Sequence, residues 1–570
     1  MDRQWTYLDA IDELLVSLPA RSKLGEMPAL PLHQTLQIRV DRTMPFEFVA
    51  RLLPSFCRLW GADLQFSYSD YDTALPLIGG NKSADGYIIW LDWRIYTDSI
   101  SADDAVQWLE TRIRQLRKGT DRPIWMNNWP EEMEEGELLF GSRTGSRTWF
   151  RQLNVRLSEL AMSVAGCEVI DLAQLAHYIA DPFYDERNDQ ISHYPLSAQA
   201  TMSIARHLGV HLLPALYLPR LKAIALDLDD TLYRGVLGED GIDGVELTEG
   251  HYRLQKLLLR LKQSGFMLTI CSRNEEADVR ALFDNRPDFP LQWQDFAVVS
   301  ANWRPKPDRM AETAKRLNIS PSAILFIDDN PAELLKMHAR LPEVRLLRAY
   351  REGTHTQQAL CHYPGLYQMY QDTEAAKRTA DIQANQLREQ GRQQYGDETE
   401  YLASLQMVIS VHLNERSHAG RLFELSQKTN QFNLALRRMT ELEAIEVMEA
   451  SDCFTMTVNL ADALSDSGIV GAFVCRIEKD RAVIIETVFS CRALGRDVET
   501  VCFHYLLQCL ANKGVEWLTI DHNQGTRNKP ALEWLERMAG DQSVPYEIAR
   551  LQAQVAAYCI KHPAKLEVIE

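Results

Sequence analysis

The sequence has no apolar run that approaches the ~20 residues a membrane-spanning helix needs. Its ten cysteines contain no CxxC pair and no regular framework, which speaks against a disulfide-stapled or zinc-ribbon chain and for a reduced, cytoplasmic protein. Basic charge is scarce: 61 Lys and Arg stand against 79 Asp and Glu, for a net charge of -18. That argues against broad, non-specific nucleic-acid binding without excluding a local basic patch, and neither a nucleic acid nor a membrane is expected as partner. Internal repeats and low-complexity tracts are absent, and Met1-Asp2-Arg3-Gln4-Trp5 carries no apolar signal core.

What is present is an ordinary soluble composition, 46% hydrophobic and 25% charged. At 570 residues, three or four domains are expected, each with its own core. The stretch that organises the chain is Leu221 to Gly241, L-K-A-I-A-L-D-L-D-D-T-L-Y-R-G-V-L-G-E-D-G. An apolar run, Ala223 to Leu226, delivers Asp227 at its carboxyl end, where open α/β sheets collect their ligand chemistry. Asp229 would point the same way off an extended backbone. Two carboxylates aimed at one spot repel unless a cation lies between them, and Mg2+, a hard cation taking oxygen ligands, is the expected cofactor.

Three further signals follow in order. Phe266 to Cys271 is an apolar strand ending at Ser272-Arg273-Asn274. Asn302-Trp303-Arg304-Pro305-Lys306-Pro307 comes next, and Ala323 to Ile327 is a strand ending at Asp328-Asp329-Asn330-Pro331. Each alone is commonplace; together, each at or near a strand end, they describe a phosphoryl-transfer site. Asp227 is the candidate nucleophile, giving an aspartyl phosphate. Asp229 is the candidate general acid and base. Ser272 would hold a phosphoryl oxygen and Lys306 would neutralise charge. Thr231, Arg273 and Asn274 would contact substrate. Asp328 or Asp329 would complete the metal shell with Asp227 and the Asp229 backbone carbonyl.

Before this unit, residues 1–219 alternate strand-like runs (36–40, 87–91, 123–126, 168–171) with helical patterns (46–60, 102–116, 149–164, 197–208), which predicts a doubly wound parallel sheet. An SGNH-like esterase of flavodoxin-like form would need a Gly-Asp-Ser turn after its first strand. Here Val40-Asp41-Arg42-Thr43 stands instead. Asp189 and His193 read either as a catalytic pair or as solvated loop residues. With no nucleophile in sight the domain is read as a scaffold or docking module. Residues 351–400 predict a polar connecting helix packed on the preceding domain.

Residues 401–570 predict a separate α+β domain, with strands at 405–411, 454–460, 468–478, 482–489 and 517–521 and a helix at 498–511. Lys428-Thr429-Asn430-Gln431-Phe432-Asn433 is dense in amides and reads as a capped turn or as a polar substrate groove, with Lys428, Asn430 and Asn433 as contacts. Ser490-Cys491-Arg492 sets a thiol near a helix N-terminus between arginines, a setting that lowers thiol pKa, although a buried structural cysteine is the alternative.

The Asp227 to Asp328 motifs resemble the haloacid dehalogenase (HAD) phosphatase superfamily. Neither gap, Asp227 to Ser272 nor Ser272 to Lys306, has room for an inserted cap domain, so 220–350 is expected to be a capless Rossmann-like HAD domain open to a large substrate. The order of elements in 401–570 resembles the GNAT acyltransferase fold, in which an R-x-x-G-x-G/A loop grips the diphosphate of acyl-CoA. Asp497 replaces the small residue in Arg492-Ala493-Leu494-Gly495-Arg496-Asp497, so a carrier protein's phosphopantetheine arm, with one phosphate, is the better expected ligand of Arg492 and Arg496. The chain as a whole resembles the FkbH-like family, a modular branch of HAD subfamily IIIC, through these motifs together with Gly235 to Gly241, Lys428 to Asn433 and Ser490 to Arg496. That resemblance implies a glyceryl transferase and phosphatase. Such an enzyme takes 1,3-bisphosphoglycerate, moves the glyceryl group to a thiol, removes the remaining phosphate and loads an acyl carrier protein for polyketide-type assembly. Cys491 is the expected acyl-bearing thiol and Cys271 the runner-up. The alternative is a phosphatase whose C-terminal domain acylates an amine. Tyr233-Arg234 stands where the best-known members have Trp-Gly, on the loop expected to meet the substrate.

Overall fold

The computed structural model of the protein describes residues 8–26, 32–71, 84–131, 146–367, 377–392, 395, 397–490, 492–525, 527–540, 545–559 and 562–569. Three sheets carry the architecture, the first two parallel and the third mixed.

The first sheet holds β1 (Gln34–Arg42), β2 (Ala62–Tyr71), β3 (Gly86–Trp90), β4 (Ile124–Asn127) and β5 (Cys167–Ile170) in the order β2-β1-β3-β4-β5, all parallel. This is the flavodoxin-like doubly wound order. Its edge strand β2 was not expected from the sequence: Ala62 to Tyr71 alternates apolar and polar residues and carries no continuous apolar run. The helix expected over 46–60 is instead three short turns, Glu47–Ala50, Leu53–Cys57 and Arg58–Trp60, because Pro54 has no N–H to continue the first of them. At the turn after β1 the Arg42 guanidinium lies 4.3 Å from the ring centroids of both Tyr68 and Tyr71. Asp189 pairs with Arg94 at 2.7 Å, while His193 is exposed. No catalytic pair forms there.

The second sheet holds β6 (Ala223–Leu226), β7 (Met267–Ser272), β8 (Phe296–Ala301), β9 (Ile324–Asp328) and β10 (Arg345–Arg348) in the order β10-β9-β6-β7-β8, again all parallel. Every residue of β6, β7 and β9 is buried, as expected of strands covered on both faces. The connection from β6 to β7 holds only the helices Leu237–Gly244 and Glu249–Gln263, and that from β7 to β8 holds Glu276–Asn285 and one 3-10 turn. Neither contains an inserted domain. One apolar core, from Ala10 to Leu366, runs through both parallel sheets without a break.

The third sheet holds β11 (Val408–Leu413), β12 (Cys453–Ala461), β13 (Asp466–Glu478), β14 (Arg481–Phe489), β15 (Trp517–Ile520), β16 (Tyr546–Glu547) and β17 (Lys565–Ile569), in the order β16-β15-β14-β13-β12-β11-β17. Its pairs are antiparallel except β14 with β15 and β11 with β17. The helix Lys377–Arg392 joins the second and third sheets. Its Gln383 side chain donates to the Phe296 carbonyl at the start of β8. Its Arg388 donates to Asp462 through Nε at 2.9 Å and an η nitrogen at 2.8 Å. The helix expected to pack on the phosphatase-like domain is therefore clamped just as firmly to the C-terminal sheet.

The Asp462 side chain is shielded from water and also takes Arg496 at 2.6 Å. Removing one member of a buried ionic network leaves the others charged and unpaired, at a cost of about 3–5 kcal/mol. Asp462→Ala should therefore shift the urea midpoint of the C-terminal domain sharply downward. An unchanged midpoint would mean the clamp is not a structural element.

Candidate active site

Apolar strands deliver polar ends here. Asp227 directly follows β6, and its N–H donates to the Ile327 carbonyl at 2.9 Å, which fixes the end of β6 to β9. Asp328 is the last residue of β9, Ser272 the last of β7, and Lys306 opens the helix Lys306–Arg316. Since β9, β6 and β7 are neighbours, these residues meet at the carboxyl end of the sheet.

The Lys306 ammonium, 2% exposed, lies 3.0 Å from Asp227 Oδ2 and 2.6 Å from Asp328 Oδ2. Burial alone would lower the lysine's pKa; Asp227 and Asp328 outweigh it and hold the ammonium charged well above its ordinary range. Asp328 is nonetheless pushed up to about 7, by burial and then by Asp227 beside it, and Asp329 up to about 6 for the same two reasons. One ammonium cannot balance three converging carboxylates. Asp227, Asp328 and Asp329 each bring an oxygen to within 4.8 Å of the others. Asp227 Oδ1 is buried with no hydrogen-bond partner among the described residues. An all-oxygen donor set, surplus negative charge and an orphaned buried oxygen fit a hard divalent cation such as Mg2+, held by Asp227 with Asp328 or Asp329.

The Asp229 carboxylate is not part of that group. Its Oδ1 accepts from the Tyr233 hydroxyl at 2.8 Å and from the Leu237 N–H at 2.9 Å, and its Oδ2 accepts from Asn274 Nδ2 at 2.9 Å. The same Asn274 nitrogen donates to Ser272 Oγ at 3.0 Å. Asn274, expected to contact substrate, thus ties the hydroxyl at the end of β7 to the Asp229 carboxylate. Arg273 is half exposed and pairs with Glu333 at 3.0 Å. Thr231 is fully buried in the turn after β6, where its N–H donates to the Leu228 carbonyl.

Two expectations need correction. Tyr233 does not meet substrate: it is fully buried, with its ring beside Phe289 and its hydroxyl on Asp229. Arg234 beside it is tied to Glu246 and Glu352. Cys271 is buried, with its thiol pushed up to about 12 by burial, a poor setting for a nucleophile.

In the third sheet, Cys491 lies outside the described residues, as does the Lys428 side chain. The two arginines expected to bind phosphate have internal partners instead. Arg496 donates to Asp462 Oδ2 at 2.6 Å, and Arg492 donates to the Ser467 carbonyl at 2.5 Å with Asp381 4.0 Å away. The helix Val498–Asn512, where a diphosphate would dock, brings its own carboxylates: Asp497 precedes it at φ 50°, and buried Glu499 is pushed up to about 7 by burial. β14 pairs with β15 only over Arg481 to Ile484. Beyond that its edge is taken by the chain itself. Leu434 N–H donates to the Thr487 carbonyl at 3.1 Å, Phe489 N–H to Phe432 at 2.9 Å, and on the far side Asn523 N–H donates to Leu434 at 2.8 Å. The amide-dense segment thus runs from a helix end into a loop with one isolated bridge, Asn433 to Val488, on the edge of β14. Asn430 is bound by Arg438, and Asn433 Oδ1 takes the Leu436 N–H at 2.6 Å.

Sequence reasoning missed Glu486. It lies on β14, fully buried, with neither carboxylate oxygen hydrogen-bonded among the described residues, and burial pushes it up to about 7. Ser426 Oγ, Asn433 Nδ2 and Thr487 Oγ1 are buried and unpartnered likewise. A lone Glu in an apolar strand (V-I-I-E-T-V-F) was the available signal.

The carboxylate group yields a direct test. Millimolar Mg2+ should raise the melting temperature of the metal-free protein, since a ligand at a hundredfold excess over its Kd adds about 2.7 kcal/mol. In Asp328→Asn the increment should vanish. An equal increment in that variant would assign the cation to Asp227 with Asp329, or place it elsewhere.

No protein-family model matches the chain, and no curated protein matches it. Among solved structures, it is similar to the N-terminal part of a Bacteroides fragilis protein containing a phosphatase domain, complexed with Mg. That likeness has 19% identity and a TM-score of 0.49, covering 61% of this chain and 97% of that one. It is also similar to a ribosomal-protein-alanine N-acetyltransferase from Brucella melitensis, at 9% identity and TM-score 0.20, covering 24% of this chain and 95% of that one. An aminoglycoside acetyltransferase from an uncultured soil metagenomic sample is a third, at 12% identity and TM-score 0.20, covering 24% and 93%.

Proposed function

We propose that the protein is a Mg2+-dependent phosphatase joined to an acyltransferase-like domain, and that its phosphatase site hydrolyses a phosphomonoester through an Asp227 aspartyl phosphate. The observation that carries this reading is the buried Lys306 between Asp227 and Asp328, with Asp227 Oδ1 left without a hydrogen-bond partner among the described residues. A carboxylate oxygen of Asp227 attacks phosphorus, and the bond from phosphorus to the ester oxygen breaks. Asp229 gives that oxygen its proton. Water then attacks the phosphorus, Asp229 takes the water's proton, and the aspartyl–phosphate bond breaks to release inorganic phosphate. Lys306 and the Ser272 hydroxyl hold phosphoryl oxygens throughout. Asp227 with Asp328 or Asp329 would hold Mg2+, which would supply charge neutralisation to the phosphoryl group.

The finer reading, as a member of the FkbH-like family, is supported by the motifs that carry that resemblance and by a site without a cap. A phosphate ester presented by an acyl carrier protein can approach such a site. In this reading a thiol sulfur adds to the acyl carbon of 1,3-bisphosphoglycerate and the acyl C–O bond to phosphate breaks, forming a thioester. The phosphatase site then hydrolyses the remaining monoester. An acyl phosphate is activated enough for the first step. A phosphate monoester hydrolyses so slowly unaided that the second needs a catalytic site. The arginine loop beside Val498–Asn512 has no role in this reading, because its guanidinium groups serve Asp381 and Asp462.

Asp227→Asn should lower phosphate release by at least about three orders of magnitude with the melting temperature little changed. Release at the wild-type rate would remove Asp227 as nucleophile. Intact mass of a candidate carrier after incubation with 1,3-bisphosphoglycerate and the protein should show a glyceryl adduct on the phosphopantetheine thiol. An adduct on an amine acceptor instead would favour the N-acyltransferase alternative.

A further inference from the structure

We propose that Tyr233 is the positioning residue of Asp229, and that the fixed loop carrying it lets this open site protonate a poor leaving group without a closing cap. The inference rests on the phosphatase reading above and adds to it the atom that carries the proton.

Asp229 Oδ1 accepts two hydrogen bonds, from the Tyr233 hydroxyl at 2.8 Å and from the Leu237 N–H at 2.9 Å. A carboxylate oxygen has two in-plane acceptor positions, and both are filled. The tyrosine is the donor, because its hydroxyl carries the hydrogen and a carboxylate oxygen can only accept. The proton that Asp229 gives and regains therefore sits on Oδ2. Among the described residues that oxygen has a single donor, Asn274 Nδ2 at 2.9 Å, which also reaches Ser272 Oγ at 3.0 Å. Ser272 ends β7 beside Asp227, so Asn274 holds Oδ2 on the side where the phosphoryl group is bound.

The loop that supplies these donors is pinned along its length. Asp230, at φ 47°, donates its N–H to the Gly235 carbonyl at 3.1 Å and accepts the Gly235 N–H on Oδ1 at 2.9 Å. Gly235 is at φ 110°, where only glycine is comfortable. Arg234 and Glu246 exchange both backbone hydrogen bonds at 2.9 Å. The Arg234 guanidinium pairs with Glu246 at 3.0 Å and Glu352 at 3.1 Å. Buried Gln255 donates to the Leu232 carbonyl at 2.9 Å. With the Tyr233 ring buried beside Phe289, the acid/base carboxyl is set before any substrate arrives. A site that cannot enclose a large ester needs that arrangement in advance.

During the first half-reaction the Oδ2 proton moves to the ester oxygen as its bond to phosphorus breaks. During the second, a water proton returns to Oδ2 as the hydroxyl adds to phosphorus. A nitrophenolate leaves without a proton, whereas an alkoxide does not. The test therefore compares p-nitrophenyl phosphate with 3-phosphoglycerate, an alkyl ester, on the full chain with Mg2+. Tyr233→Phe removes one oxygen and keeps the ring. It should lower the rate of the first half-reaction, read as the pre-steady-state burst of alcohol release, about tenfold on 3-phosphoglycerate, and change the burst rate on p-nitrophenyl phosphate by less than about twofold. Tyr233→Trp, whose indole N–H can donate, should recover most of the loss. The ratio of the two rates does not depend on how much of a variant is folded. Equal loss on both esters, or no loss on either, overturns the positioning role while leaving the phosphatase reading intact. Wild-type protein with no Mg2+-dependent turnover of either ester overturns both.

Discussion

One buried ammonium holds the second sheet's functional end together. Lys306 has almost no contact with water and shares its charge between Asp227 and Asp328, which end adjacent strands. Two carboxylates cannot be driven to one point in a protein interior without a positive charge between them. A third, Asp329, makes the balance negative again. The lysine therefore allows the strands to end together, and the remaining charge creates the demand for a divalent cation. Support comes from the backbone: Asn330 N–H donates to Asp328 Oδ1 at 2.8 Å, and buried Arg309 donates to the Ser272 and Ser300 carbonyls at 2.8 and 2.7 Å. The latter bonds hold β7, β8 and the lysine's own helix in one arrangement, so the fold sets the site's precision.

Much of this was legible in the sequence because a buried parallel strand announces itself. Ala223 to Leu226, Phe266 to Cys271 and Ala323 to Ile327 are apolar runs that stop at polar residues, and those residues are the site. Edge strand β2 was missed since it is half solvated and carries no such run. Tyr233 was misread because a loop sequence does not reveal which side chain turns inward; only the Asp230–Gly235 turn, with φ 47° and 110°, decides that. Arg492 and Arg496 matched an anion-binding loop by local pattern. Their partners, Asp381 and Asp462, come from a helix and a turn far earlier in the chain, which no local pattern records. Glu486 was hidden for the opposite reason, a polar residue embedded in an apolar strand with nothing nearby to mark it.

The C-terminal domain meets the second sheet at the end away from the carboxylates. Gln383 reaches Phe296, the first residue of β8. Asn318 and Gln431 exchange amide hydrogen bonds at 3.1 and 3.3 Å ahead of β9. The carboxylates and Lys306 lie where those strands finish.

The claim on which the rest stands is that Asp227 becomes phosphorylated. Rapid acid quenching of the Mg2+-loaded protein during turnover of a radiolabelled phosphomonoester, followed by peptide mapping, tests it most directly. The account predicts label on the peptide containing Asp227, released by hydroxylamine as an acyl phosphate is. Phosphate turnover with no protein-bound label, or with label on another peptide, would contradict it.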